Sequence, residues 1–291
     1  MRSIRLPIAF LTLVAGLTTQ ACLADDLTGT LKKVKEAGLI TVGTRESSKP
    51  FSYLDQDNNT VGYTVDLCNK IVEKIRVVTG ASDLKIKYLT TAPAARIPLL
   101  SNGTIDMECS TTSITLSRMR QVGFSSPTFV VGARILTKKN SGVNDWDDLK
   151  GKIIGVAQGT NGEKSVRALV DTPAFGGTKV ITYPDHGAGL MALQTDRIDG
   201  YVTDDIVLFG VRSGARRKDE LTITGRPLTF ETFAIVIRRG DSDFKLVVDT
   251  ALSELYRSGE IQTIYKKWFE PLEVPMSEAN AYMFKIAGIL P

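Results

Sequence analysis

The stretch Val42-Gly43-Thr44-Arg45-Glu46-Ser47-Ser48-Lys49-Pro50-Phe51-Ser52-Tyr53 decides the reading of the fold. A strand over Leu39–Thr44 ends inside it, an extended loop follows, and Pro50-Phe51 comes next. Upstream, Leu31, Val34 and Leu39 flank a short helix that Gly38 stops. Downstream, Val65 to Val78 is apolar at helical period and ends at Gly80. Leu84, Ile86 and Tyr88 alternate with lysines, which predicts a strand. A helix opens at Arg96, a strand covers Ile105–Cys109, and a helix starts at Leu116.

A second set follows. Strands are expected at Ala133–Leu136, Ile153–Ala157, Val180–Tyr183 and Ile198–Thr203. Helices are expected at Val143–Leu149, Gly162–Leu169 and Gly187–Leu193, and from Asp205. Phe233–Ile237 is β-rich, Phe244–Tyr256 and Glu260–Phe269 are amphipathic, and the tail after Pro271 has no regular pattern. Such alternation implies α/β layers with mainly parallel sheets. No repeat, low-complexity segment or proline-rich linker splits the chain. An inserted domain, entered near Val130–Gly132 and left near Pro227–Thr229, explains why.

The first residues belong to no domain. Met1-Arg2-Ser3-Ile4-Arg5 is basic, Leu6 to Leu17 is apolar but short for a bilayer, and small residues follow at Ala21 and Ala24. That pattern is a secretory leader. Cleavage after Ala24 removes Arg2 and Arg5 and no acid, taking the formal charge from +4 to +2. Thr19-Gln20-Ala21-Cys22 loosely resembles a lipoprotein signal, with Thr19 and Gln20 fitting poorly, so lipid anchoring at Cys22 is the lesser expectation. The segments are then 1–24 leader, 25–130 first lobe, 131–228 inserted second lobe, and 229–291 the rest of the first lobe with the tail. The full 291-residue sequence has 43% hydrophobic and 23% charged content, ordinary for a globular protein. The absence of a Lys/Arg block argues against nucleic acid. One His and three scattered Cys make no credible zinc site. Export puts Cys68 and Cys109 in an oxidising compartment. Both lie on apolar stripes, so a disulfide and two buried thiols remain equally open.

Several words in order carry a resemblance: Val42 to Tyr53; Gly62-Tyr63-Thr64-Val65-Asp66-Leu67; Arg96-Ile97-Pro98 through Asn102-Gly103 to Asp106; Ser113 to Arg118; Asp148 to Lys152; Gln158-Gly159-Thr160; and Asp204-Asp205. Together they resemble the periplasmic polar-amino-acid-binding proteins of ABC importers over nearly all the mature chain. Arg45-Glu46-Ser47-Ser48, Glu108-Cys109-Ser110-Thr111-Thr112 and Asp185-His186-Gly187 are most similar to the glutamate/aspartate binders. The resemblance implies an α/β, two-lobed Venus-flytrap (periplasmic-binding-protein) fold with two hinge strands and ligand in the cleft. It implies Arg118 on the α-carboxylate and Asp204 on the α-ammonium. It also implies the membrane subunits of an ABC transporter as partner, a periplasmic location, and a monomer without cofactor or metal. One departure is Pro93, where those binders typically carry a small hydroxyl residue. This departure bears on the choice between glutamate and aspartate rather than on the acidic class.

The residue types suit those tasks. A guanidinium fork matches a carboxylate, and Arg118 follows a hydroxyl-rich run that includes Thr111 and Ser113. Read without the family pattern, Arg118 is a solvated surface arginine in a helix with Arg120. Thr160 sits in a strand-to-helix turn whose free amides favour an anion, or in an ordinary tight turn. Asp204 ends a strand where ligands bind in open α/β sheets; its plainer role is a helix cap, which Asp205 can fill. Arg45, just past the first strand, suits a side-chain carboxylate. Arg96 is a second cation, and His186 either a donor or a core histidine. The expected function is capture of L-glutamate or L-aspartate by lobe closure, without catalysis. The rivals are another amino acid in the same fold and a dehydratase-like enzyme.

Overall fold

Gly38 takes the left-handed conformation (φ 60°) and ends the first helix where its sequence predicts. A computed structural model describes residues 27–291; the leader and Cys22 lie outside the described residues. The first elements are α1 (Gly29–Ala37), β1 (Leu39–Thr44), β2 (Ser47–Ser48), β3 (Ser52–Leu54), β4 (Thr60–Val61), α2 (Tyr63–Thr79) and β5 (Lys85–Thr90). Next come α3 (Arg96–Ser101), β6 (Met107–Glu108), α4 (Leu116–Met119), β7 (Val122–Val131), β8 (Ala133–Lys138) and β9 (Ile153–Ala157). Then follow α5 (Asn161–Val170), β10 (Lys179–Tyr183), α6 (His186–Gln194), β11 (Gly200–Asp204), α7 (Asp205–Ser213) and β12 (Leu221–Thr224). The chain finishes with β13 (Glu231–Arg238), α8 (Ser242–Ser258), α9 (Glu260–Phe269) and α10 (Glu278–Ala287).

These elements build two five-stranded sheets, ordered β5-β1-β6-β13-β7 and β10-β9-β11-β8-β12. In each, three parallel strands meet an antiparallel pair. The mainly parallel expectation therefore holds for the half of each sheet that carries the βαβ units. The chain passes from the first sheet to the second at Gly132 and returns between β12 and β13, so the architecture is two α/β lobes joined by two strands.

The differences from the sequence reading have local causes. Val143–Leu149, expected as a helix, forms only a single 3-10 turn over Trp146–Leu149, capped by Asp145. The strand expected over Ile105–Cys109 is reduced to Met107–Glu108. Beyond Pro271 the tail forms α10, started by the Ser277 cap. Its Asn280 reaches the outer strand β7, accepting from Val130 N at 2.8 Å and donating to Val130 O at 3.1 Å. Cys68 and Cys109 form a disulfide that ties α2 to the end of β6. Phe51 is fully buried and packs edge-on against Tyr63, Phe129, Phe233 and Phe269. It serves as first-lobe core.

Candidate ligand-binding cleft

Parallel strands deliver their carboxyl ends to one side of a sheet, and here both lobes turn that side toward the same cleft. Arg45 follows β1, Arg96 opens α3 beyond β5, and Thr111 and Ser113 follow β6. From the other lobe, Thr160 follows β9, His186 opens α6 beyond β10, and Asp204 ends β11. Arg118 enters from α4.

The lobes touch across this cleft. Arg118 Nη2 donates to Gly159 O at 3.4 Å, and Gly187 N donates to Ser47 Oγ at 3.4 Å. Gly159 (φ 76°) lies so close to Ala94 that a Cβ would sit 2.7 Å from its Cα. A Cβ on Gly210 of α7 would sit 1.9 Å from Lys49 O. The structure is the closed arrangement of the two lobes.

Three guanidinium groups are buried together, at 2% exposure for Arg45, 2% for Arg96 and 6% for Arg118. Burial and the neighbouring Arg96 push Arg45 down to about 9. The same two causes push Arg118 down to about 10. Burial lowers Arg96, opposed by the carboxylates of Glu108 and Asp204. Arg118 Nη1 is taken by Ser113 O at 2.8 Å. Arg45 Nη1 and Arg96 Nε are buried without a hydrogen-bond partner among the described residues. Unpaired buried charge costs several kcal/mol, of order 3–5 when one partner of a pair is missing.

Asp204 is half-buried at the end of β11. Burial, then the nearby Glu231 and Asp205, push its carboxyl up to about 8. Its side chain makes no cap; Asp205 accepts from Ile206 N at 2.8 Å. His186 is 2% exposed and shares a 2.9 Å hydrogen bond between Nδ1 and Tyr201 Oη. Burial and the two arginines Arg45 and Arg96 push it down to about 3, so it is neutral near pH 7. The Thr160 hydroxyl is committed to its own turn, donating to Ala157 O at 2.7 Å and accepting from Glu163 N at 3.1 Å. That turn therefore offers backbone amides at the start of α5. Thr111 and Ser113 are both buried, and Ser113 O holds Arg118.

Two groups that border the cleft escaped the sequence reading. Tyr201 is fully buried on β11, and Gly189 makes room for its ring: a Cβ there would lie 2.1 Å from Cε2. Glu108 is fully buried on β6, and its carboxylate accepts from the Ser110 hydroxyl and, at 2.8 Å, from Thr112 Oγ1. The available signal was an acid inside the apolar run Ile105–Cys109. A separate surface groove of about 490 Å³, lined by Tyr265, Lys266, Val274 and Met276, offers no comparable set of paired charges.

Comparisons with known proteins agree with the two-lobed fold. The chain is 40% identical over 275 residues to the L-glutamate/L-aspartate-binding protein of Pseudomonas aeruginosa, covering 91% of each chain. It is 38% identical to the glutamate/aspartate import solute-binding protein of Salmonella typhimurium, over 89% of this chain and 86% of that one. Among solved structures, a mutant of ArgBP from T. maritima superposes with a TM-score of 0.74 at 27% identity, over 83% of this chain and 100% of the other. The profile of the bacterial extracellular solute-binding proteins, family 3, matches residues 40–271, a span that includes both sheets and every cleft residue named above; the chain belongs to that family.

Proposed function

We propose that this protein captures L-glutamate or L-aspartate outside the cytoplasm, closes around it, and presents it to the membrane subunits of an ABC importer. The observation that carries the reading is the pair of buried guanidiniums, Arg45 and Arg96, each with a nitrogen that lacks a protein partner. A ligand carboxylate supplies what they lack. Arg118 takes the α-carboxylate, helped by Thr111, Ser113 and the amides that Thr160 positions. Asp204 takes the α-ammonium, and His186 donates or accepts as a neutral ring. The acidic class is also that of the relatives' names.

The protein acts as a monomer in the periplasm, delivered there by its leader, and binds without turning its ligand over. A histidine held at about 3 is a poor general acid or base near neutrality. Isothermal calorimetry of ligand-stripped protein against all twenty amino acids tests the reading. Glutamate or aspartate should bind far more tightly than glutamine. If neither binds, the reading fails. Prephenate-like substrates should not be turned over.

A further inference from the structure

Glu108 belongs to no contact assigned to the ligand, yet it is a fully buried acid at the floor of the cleft. Its backbone lies opposite Gly43 in the β1–β6 ladder, and a Cβ at Gly43 would sit 3.6 Å from its Cγ. The tight neighbour of such a Cβ would be Ile105 Cδ1, at 2.5 Å, while Glu108 would be in ordinary contact. The next residue, Cys109, is fixed by the disulfide to Cys68 and by a 2.8 Å bond from its N to Gly43 O. The carboxylate is held by the Ser110 and Thr112 hydroxyls and makes no direct ion pair among the described residues. Two hydroxyl donors stabilise an acceptor-only, ionised carboxylate. It therefore acts on its surroundings as a fixed charge at short range, in a region where water does not screen it.

We propose that Glu108 sets the charge of the side-chain end of the cleft, so that Arg45 and Arg96 together offer one net positive charge and accept a singly charged side chain. The inference rests on the functional reading above and deepens it. Two guanidiniums without Glu108 would favour a doubly charged group; with it, a single carboxylate balances the end of the pocket. The electrostatics point the same way, since Glu108 opposes the lowering of Arg45, Arg96 and Arg118. Asp185 also faces Arg45, but it is partly exposed and its carboxylate caps α6 through Ala188 N. Glu231 acts on Arg118, and Asp204 acts on both Arg118 and Arg96, but Asp204 is the acid that faces the ligand's ammonium, which balances it.

The test compares L-glutamate with O-phospho-L-serine, whose phosphoryl group carries a charge of about −1.5 to −2 near neutrality. The wild-type protein should prefer glutamate. Glu108→Gln should raise the affinity for phosphoserine relative to glutamate by about tenfold or more, the direction expected when a repulsive element against the competitor is removed. Glu108→Asp, which keeps the charge, should hold the wild-type ratio even if it folds less stably. An unchanged ratio in Glu108→Gln, with both ligands weakened alike, overturns the proposal and leaves Glu108 as a brace for Ser110 and Thr112. Should Glu108→Gln not fold, a shifted ratio in Glu108→Asp overturns it equally. If wild-type protein binds neither glutamate nor aspartate, the functional reading fails. If it binds them and the ratio does not move, only this inference does.

Discussion

Arg45 is the residue we propose to separate acidic from neutral ligands. Its guanidinium is 2% exposed, its Nη1 has no partner among the described residues, and Arg96 repels it. Arg45→Ala should weaken glutamate and aspartate by about 2–5 kcal/mol, as for a buried charge left alone, and glutamine much less. Calorimetry of all three ligands checks this; an unchanged glutamate-to-glutamine ratio would make Arg45 a structural residue. His186 predicts a pH effect on stability. Its folded value lies near 3 against an ordinary 6.5. Between those values the unfolded chain takes up a proton that the folded one refuses. Stability from this group is therefore complete above 6.5 and declines as pH falls toward 3. His186→Phe should cost about 1–3 kcal/mol near neutrality by stranding the Tyr201 hydroxyl, but its stability should fall less steeply on acidification. Urea unfolding across that window measures both.

At the scale of elements, the C-terminal helix illustrates how packing supplies what periodicity leaves unstated. α10 lies against β7, the outer strand of its sheet, and the buried Asn280 makes both bonds of Val130 that a further strand would otherwise make. Covering an edge in this way removes a template for unwanted strand pairing. Asn280→Leu should destabilise the protein by about 1–3 kcal/mol, because the β7 backbone groups lose their partners. Ligand affinity should stay unchanged, since α10 touches none of the cleft residues. Chemical denaturation with parallel calorimetry separates the two effects. The disulfide acts at the same scale: it joins α2 to the segment that carries Glu108, Ser110 and Thr111, and so couples a core helix to the cleft floor.

Closure belongs to the whole molecule. The seam is tightest where Gly210 of α7 meets the backbone of Lys49, with no space for a side chain. Gly210→Ala tests closure separately from folding. Alanine within a helix should add about 0.5–1 kcal/mol to the helix itself, while the methyl group should hold the lobes apart. The expected result is an intact fold with affinity reduced by about 1–3 kcal/mol, the usual cost of overpacking. In the wild type, small-angle scattering should show the radius of gyration shrink on adding glutamate; in Gly210→Ala it should not. A ligand can shift this equilibrium only by its preference for the closed form. A variant that closes and binds normally would show that the Gly210–Lys49 contact does not limit closure.

Local signals in the sequence determined much of this protein: β1, α2, β5, β9 and the α8–α9 pair, each marked by period and by glycines such as Gly38, Gly80 and Gly259. Ordered words along the chain, through the family they resemble, pointed to the two-lobed architecture and to the candidate residues Arg45, Arg96, Arg118, His186 and Asp204; of these, Arg45 follows a strand end and Asp204 closes one, while Arg118 lies on α4. Part of what stayed hidden depended on partners far along the chain, and part on local hydrogen bonds. Whether Cys68 and Cys109 pair is a matter of distance between α2 and β6. α10 forms against β7 despite a tail of mixed polarity, and the expected helix at Val143–Leu149 shrinks to one turn under the Asp145 cap. Thr160 keeps its hydroxyl for its own turn. Only the tertiary structure decided that Glu108 and Tyr201 border the cleft, since that depends on how near they come to Arg45, which lies far from both along the chain.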